Sequence, residues 1–396
     1  MTVLYIHQYF RTPQEPGGTR SYWIAKKLID SGHKVFMLTS KKFDENTKKH
    51  TEIDGINVIY LNVDYNQKMS FFKRIFSFLL FSFSSLREAV KLSSKIDFVY
   101  ATSTPLTVGF PALFLYYIYN KRYIFEVRDL WPEVPIQLKI IKNKTFIYFI
   151  KKIEKLIYQK ATEIIALSPG MYEGVYKVTG NKSNISLVPN MSKKNEFYPR
   201  KKEINLLTKY NIDLNCLNFI YFGSIGYANG LDKLIEFFGQ VNDNFKLYIA
   251  GSGSEENKLK GLVKLKNITN VSFLGNFNTS GISEIVNCCD VSIVSFLNIP
   301  ILSTNSPNKF FDSLSAGKPI LVNSDGWTRE LVENKNCGFY YKYDDIEDFK
   351  RVLDNLLTNK PILENMSKNS LALSYNTYDK EILTTKIVEI INNKFS

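Results

Sequence analysis

Asp129 sits in the run 126–133, EVRDLWPE, where charges crowd against a tryptophan and a proline directly after a strand-like segment. A carboxylate in that place can orient a substrate hydroxyl or help to deprotonate it, with Arg128 as the adjoining cation. An internal Arg128–Asp129–Glu133 ion-pair network is the alternative, because structural networks gather the same residue types. A second suggestive stretch is 303–323, STNSPNKFFDSLSAGKPILVN. Ser306 suits a helix N-cap, Pro307 the first helical position and Gly317 the left-handed stop, with Pro319 just beyond. Phe310, Phe311 and Leu314 recur at helical spacing and pin one face to a core. Such a helix aims free backbone N–H groups at an anion, phosphates above all. Lys309 adds positive charge in its first turn, and Asp312 follows one turn on.

Glycine-bearing loops follow other strand-like runs. Gly17 and Gly18, behind Pro16, let backbone approach a ligand closely, and Arg20 can pair a phosphate through two N–H groups. Gly223, Ser224, Gly226 and Asn229 lie in GSIGYANG at 223–230. Gly251 and Gly253 begin a dinucleotide fingerprint that fails, because Glu256 holds its third glycine position. Gly275, Asn276 and Phe277 follow the next strand. Each loop is weak alone, but together with the capped helix they converge on one expected cleft. No D-x-D, P-loop or nucleophile-elbow motif occurs, and His7, His33 and His50 form no ligand pattern, so no metal site is expected. His7 reads as a satisfied structural residue.

The elements that must position these residues alternate. Strand-like runs fall at 3–10, 34–40, 56–61, 97–101, 122–127, 163–167 and 185–188, and a helical pattern at 19–31 closes on Gly32. After the polar passage 190–205 the rhythm restarts, with strands at 218–222, 246–250, 271–274, 291–295, 320–323 and 338–341 and helices including 230–240 and 283–288. This alternation predicts an α/β protein of two doubly wound, mainly parallel sheets, with a ligand cleft at the carboxyl ends of the strands. The expected division is 1–195, 196–378 and a last amphipathic helix in 379–396 that packs back toward the first domain.

A chain of 396 residues has room for about two domains, and 44% hydrophobic residues suffice for packed cores. The net charge of +13 favours acidic partners. Nucleic acid is not expected, since no aromatic-basic binding motif accompanies that charge. Four cysteines without C-x-x-C spacing suggest a reducing compartment, and no basic region precedes the first strand to make a signal peptide. The apolar segment 75–86 is flanked by Lys68, Lys73, Arg74, Arg87, Lys91 and Lys95, and 144–160 carries five lysines against one glutamate. Both are too short in apolar length to cross a bilayer; they read as core helices with a solvated basic side or as helices lying on an anionic membrane.

Taken together, Gly17-Gly18, RDLWPE, Ser168-Pro169-Gly170-Met171, Val188-Pro189-Asn190, GSIGYANG, the run from Ile249 to Gly253 and SPNKFFDSLSAGKP make the chain resemble family 4 glycosyltransferases of the GT-B fold. It is most similar to the bacterial fucosamine transferases of the WbuB type. The resemblance implies a retaining, metal-independent enzyme without cofactor, which moves an N-acetylamino or deoxyamino sugar from a nucleoside diphosphate, UDP above all. The implied acceptor is a lipid-diphosphate-linked saccharide, met at the inner face of the plasma membrane during O-antigen or capsule synthesis. By position, Asp312 matches the family's ribose-binding acidic residue, and Thr304 stands at the other acidic position. Thr304, Asn305 and Ser306 would then meet sugar and diphosphate by hydrogen bonds. Gly275, Asn276 and Phe277 match the base-reading loop, Gly17 and Gly18 the diphosphate loop, and Asp129 with Arg128 the loop beside the reacting sugar.

One departure bears on mechanism. Many relatives hold the diphosphate with an arginine and a lysine where this chain has Ser224 and Asn229. Arg20, Arg128 and Lys309 are the expected substitutes, with the helix N-terminus at Ser306 adding positive potential. The leaving diphosphate would take the acceptor's proton while Asp129 positions the acceptor, and domain closure would exclude water. The alternatives are a silent, membrane-bound partner of another transferase, and a sugar-nucleotide epimerase or phosphorylase of the same fold.

Overall fold

The computed structural model describes residues 1–15, 17–66, 69 and 71–395; Pro16 and Lys68 lie outside them. Met1–Pro13, Gly17–Pro189 and Glu381–Ser396 form one compact unit, and Asn190–Lys380 makes up the body of a second. The change of unit thus falls at Pro189–Asn190, a few residues before the expected 195–196.

The first unit holds an eight-stranded sheet. Its strands are β1 (Thr2–Ile6), β2 (Lys34–Lys41), β3 (His50–Ile53), β4 (Ile56–Asn62), β5 (Phe98–Thr102), β6 (Tyr123–Val127), β7 (Glu163–Ala166) and β8 (Ile185–Leu187), in the order β3-β4-β2-β1-β5-β6-β7-β8. Every pairing is parallel except β3 with β4. Strands β5, β6 and β7 are buried at every position, as strands covered by helices on both faces must be. Only β3 went unread in the sequence. Its run, His-Thr-Glu-Ile, is mostly polar and half-exposed, an edge strand whose single apolar residue makes no recognisable strand pattern.

The second unit holds β9 (Leu217–Phe222), β10 (Phe245–Ala250), β11 (Val271–Gly275), β12 (Val291–Val294), β13 (Ile320–Val322) and β14 (Gly338–Tyr340), in the all-parallel order β11-β10-β9-β12-β13-β14. Both sheets reverse direction of winding beside their first strand, at β1/β5 and at β9/β12. A doubly wound sheet opens a crevice at that point, outside the carboxyl ends of the strands.

Three helices of the first unit carry exposed apolar side chains: Phe71–Leu92, Gly109–Tyr119 and Lys144–Lys160. The last begins where Asn143 Oδ1 accepts from the Phe146 amide at 2.9 Å. Among the described residues no helix is long and apolar enough to cross a membrane.

Candidate active site

In the first unit, β5 and β6 end side by side, and the residues that leave them hold one another. Thr104 Oγ1 donates to Asp129 Oδ2 at 2.7 Å, and Ser103 Oγ accepts from the Arg128 amide at 3.0 Å. Burial pushes the Asp129 carboxyl above its ordinary value, while the Thr104 hydrogen bond and the Arg128 charge pull it down. The Arg128 guanidinium lies 3.4 Å from His7 Nε2. A guanidinium only donates, so Nε2 accepts and the ring proton sits on Nδ1, which donates to Ser21 Oγ at 2.8 Å. Burial, with the charges of Arg128 and Arg11, holds His7 well below its usual pKa, so the ring is neutral. His7 is thus satisfied, as expected, and it also ties Arg128 to the helix Arg20–Asp30. Glu133 turns away to Lys151 (3.1 Å) and Gln137 (3.2 Å), so the alternative three-residue network does not include it.

Arg20 requires a correction. It is 2% exposed, its Nε donates to Glu126 at 3.0 Å, Nη2 to the Val188 carbonyl at 3.0 Å, and Nη1 to the Pro189 carbonyl. Glu126 is fully buried and also accepts from Tyr100 Oη at 2.8 Å. The guanidinium is committed to joining strand ends and is not open to a phosphate. Gly17, exposed with φ +130°, and half-buried Gly18 instead offer backbone just ahead of the same helix.

In the second unit the glycine loops do assemble. The Gly223 amide donates to Ala250 O at 2.9 Å and the Gly251 amide to Gly275 O at 2.7 Å, linking the ends of β9, β10 and β11. The approach leaves no room for side chains: a Cβ on Gly251 would stand 1.9 Å from Gly223 O, and one on Gly253 2.1 Å from Ile225 O. Gly226 stays beside the Asn229 amide. Asn229 Nδ2 donates to Ser224 O (3.0 Å) and Gly226 O (3.3 Å) and so braces the loop from within. Ser224 O accepts in addition from Tyr221 Oη at 2.6 Å. Asn276 is exposed beyond Gly275, while the half-buried Phe277 ring meets Tyr210 edge-on at 5.7 Å.

The helix after β12 is Asn308–Ser315, one residue shorter at its start than the sequence suggests. Pro307 occupies the N-cap without a side-chain cap. Ser306 is taken by another partner: its Oγ accepts from the Asn190 amide at 3.4 Å and its carbonyl from Asn190 Nδ2. Thr304 Oγ1 donates back to Ile301 O at 2.7 Å, and Asn305 O accepts from Trp327 Nε1 at 2.8 Å. Asn305 Oδ1 is buried with no hydrogen-bond partner among the described residues, an acceptor that calls for a donor. The helix stops as expected, with Gly317 at φ +64°.

Lys309 emerges from the first turn with its Nζ 3.7 Å from the centroid of the Tyr221 ring, against Gly223. No carboxylate among the described residues pairs with it. Burial lowers its pKa to about 7, so near neutral pH the amine is only partly charged, and an anion beside it would favour the ammonium. Asp312, one turn on, is 6% exposed and already ion-paired to Lys193 at 3.1 Å; Lys193 also reaches Glu196 at 3.4 Å. Burial raises Asp312 to about 6, with Lys193 opposing and Glu196 adding. Lys193 and Thr104 escaped the sequence reading: the one lies in a passage that reads as linker, the other bears no charge. Among the described residues no group of three or more His, Cys, Asp or Glu side chains could hold a metal ion.

Comparison with known proteins gives this geometry a family. Residues 17–191 match the glycosyl transferase 4-like domain, and residues 204–372 match the glycosyl transferases group 1. A curated relative, an uncharacterized glycosyltransferase of Haemophilus influenzae, is 28% identical over 186 residues, 46% of this chain and 48% of that one. The chain therefore spans about half the length of that relative. Two solved structures share the fold at 16% identity. Sucrose-phosphate synthase from Thermosynechococcus elongatus superposes with a TM-score of 0.80 over 100% of this chain and 99% of that one. HepE of Anabaena, in complex with UDP and glucose, does so with 0.74 over 98% and 99%. Matches to both halves of the chain and two parallel-sheet α/β units place it in the glycosyltransferase family 4, group 1, with the GT-B fold.

Proposed function

We propose that the protein is a retaining, metal-independent glycosyltransferase that takes a sugar from a UDP-sugar and extends a lipid-diphosphate-linked saccharide. The observation that carries this reading is Lys309, a lysine with no acidic partner among the described residues, laid on Tyr221 beside the glycine loop that ends β9. A diphosphate there gains the ammonium and nearby backbone donors, and the charge of the leaving group is what such fixed donors stabilise. In this reading Asn305 Oδ1, which lacks a hydrogen-bond partner among the described residues, accepts from a hydroxyl of the sugar, and Asp312, ion-paired to Lys193, meets the ribose. HepE, solved with UDP and glucose, supports UDP as the nucleotide. In the first unit Asp129, held by Thr104, positions the acceptor hydroxyl. The leaving diphosphate takes its proton on the face it departs from, which retains configuration. An N-acetylamino or deoxyamino sugar, transferred at the inner membrane face in O-antigen or capsule synthesis, fits the likeness to the WbuB-type subgroup.

A thermal-shift titration with UDP, GDP, ADP, CMP and NAD tests the donor. Ligand at about a hundred times its Kd adds roughly 2.7 kcal/mol, which is visible as a melting shift. Selective stabilisation by UDP, lost in Lys309→Met, is expected. Ser224 and Asn229, standing where relatives hold a cation pair, favour a second reading as a silent partner of another transferase. No shift with any nucleotide would put that reading first.

A further inference from the structure

Beside the Asp129 loop the first unit contains a pocket of about 270 Å³, between the helices Phe71–Leu92, Gly109–Tyr119 and Lys144–Lys160. Phe78, Leu106, Ile150 and Ile153 line it, with Pro105 and Trp131 in its wall and, among the described residues, no charged side chain. Its one hydroxyl among the described residues, on Thr107, already donates its proton to Phe78 O at 3.2 Å. A dry cavity of about 150 Å³ accepts a benzene ring, so this one has room for a longer hydrocarbon. Leu79 and Phe146 open it to solvent, at 42% and 47% exposed. Aromatic rings such as Phe76 (68%) and Phe83 (70%) extend the apolar face along one helix.

Resting on the transferase reading above, we infer that this pocket seats the hydrocarbon chain of the lipid-linked acceptor. Two observations select that occupant. Pro105 in the pocket wall follows Thr104, and Trp131 lies two residues after Asp129; the Thr104–Asp129 hydrogen bond builds the polar constellation. The apolar seat and the acceptor-positioning carboxylate are therefore parts of the same two strand-end loops, as a molecule with a lipid tail and a sugar head requires. The lysines answer the diphosphate: Lys73, Lys144, Lys152 and Lys155 are exposed on the helices that form the pocket. One buried chain holds a lipid only marginally, and a basic surface supplies the second attraction.

Farnesyl diphosphate, below its micelle concentration, is the probe, with geranyl diphosphate and inorganic diphosphate as references. Affinity rises about fourfold for each methylene buried, so farnesyl diphosphate is expected to bind at least tenfold tighter than inorganic diphosphate, with geranyl diphosphate between. Ile150→Trp fills the pocket, and Leu79→Asp, at the exposed mouth, tests it without burdening the core. Each should erase the chain-length gain while UDP still shifts the melting temperature. Equal binding of farnesyl and inorganic diphosphate would overturn the inference. So would a gain that survives both substitutions, since the exposed aromatic face and not the pocket would then hold the chain. A protein that shows the expected pattern yet binds no nucleotide keeps the pocket assignment and loses the transferase reading.

Discussion

Lys309 makes the sharpest residue-scale prediction, because its charge depends on pH. Burial sets its pKa at about 7 in the ligand-free protein. A bound diphosphate favours the ammonium and raises that value, so above pH 7 UDP binding must take up a proton. The Kd for UDP should rise with pH above about 7, approaching tenfold per unit, and Lys309→Met should bind weakly with a flat profile. Titrations from pH 6 to 9 check this. Arg20 makes a different prediction. Removing one member of a buried ion pair leaves its partner's charge uncompensated, so Arg20→Ala should cost about 3–5 kcal/mol in urea unfolding. Its position at a helix start after two glycines was legible in the sequence; its partner was not. Glu126 lies 106 residues away, and only the pairing of β1, β5 and β6 brings the two together. Lys193 was hidden for the same reason, 119 residues from Asp312.

At the scale of elements, the strands were legible because parallel strands buried on both faces read as short apolar runs between turns. The glycine loops after β9, β10 and β11 were legible as loops, but their mutual packing was not. Gly253→Ala would drive a Cβ into Ile225 O, a backbone atom that cannot swing aside. The expected outcome is a loss of 1–3 kcal/mol in stability, measured by urea unfolding, with UDP affinity falling more than melting behaviour alone explains. The helix Asn308–Ser315 starts one residue later than its sequence suggests. Ser306 is a good N-cap by type, yet Asn190 reaches its hydroxyl and carbonyl, a competition that no local pattern discloses.

Over the whole molecule the net charge of +13 reads as an affinity for anionic surfaces. The helix Lys144–Lys160 concentrates it, with Lys152 and Lys155 exposed beside Tyr148 and Phe149. Each lysine near an anionic membrane contributes about 1 kcal/mol, so Lys152→Glu with Lys155→Glu should weaken binding to anionic vesicles by well over tenfold. Neutral vesicles should show little change. Partitioning that is unaltered by both substitutions would remove this helix from the membrane assignment.

If a nucleoside diphosphate binds through Lys309, calorimetric titration with UDP and with uridine will separate the diphosphate's contribution from that of the nucleoside. UDP binding should fall at least tenfold in Lys309→Met, while uridine, which lacks the diphosphate, should bind both proteins alike. UDP affinity unchanged by the substitution, or no binding of UDP to the unmodified protein, would contradict binding through Lys309.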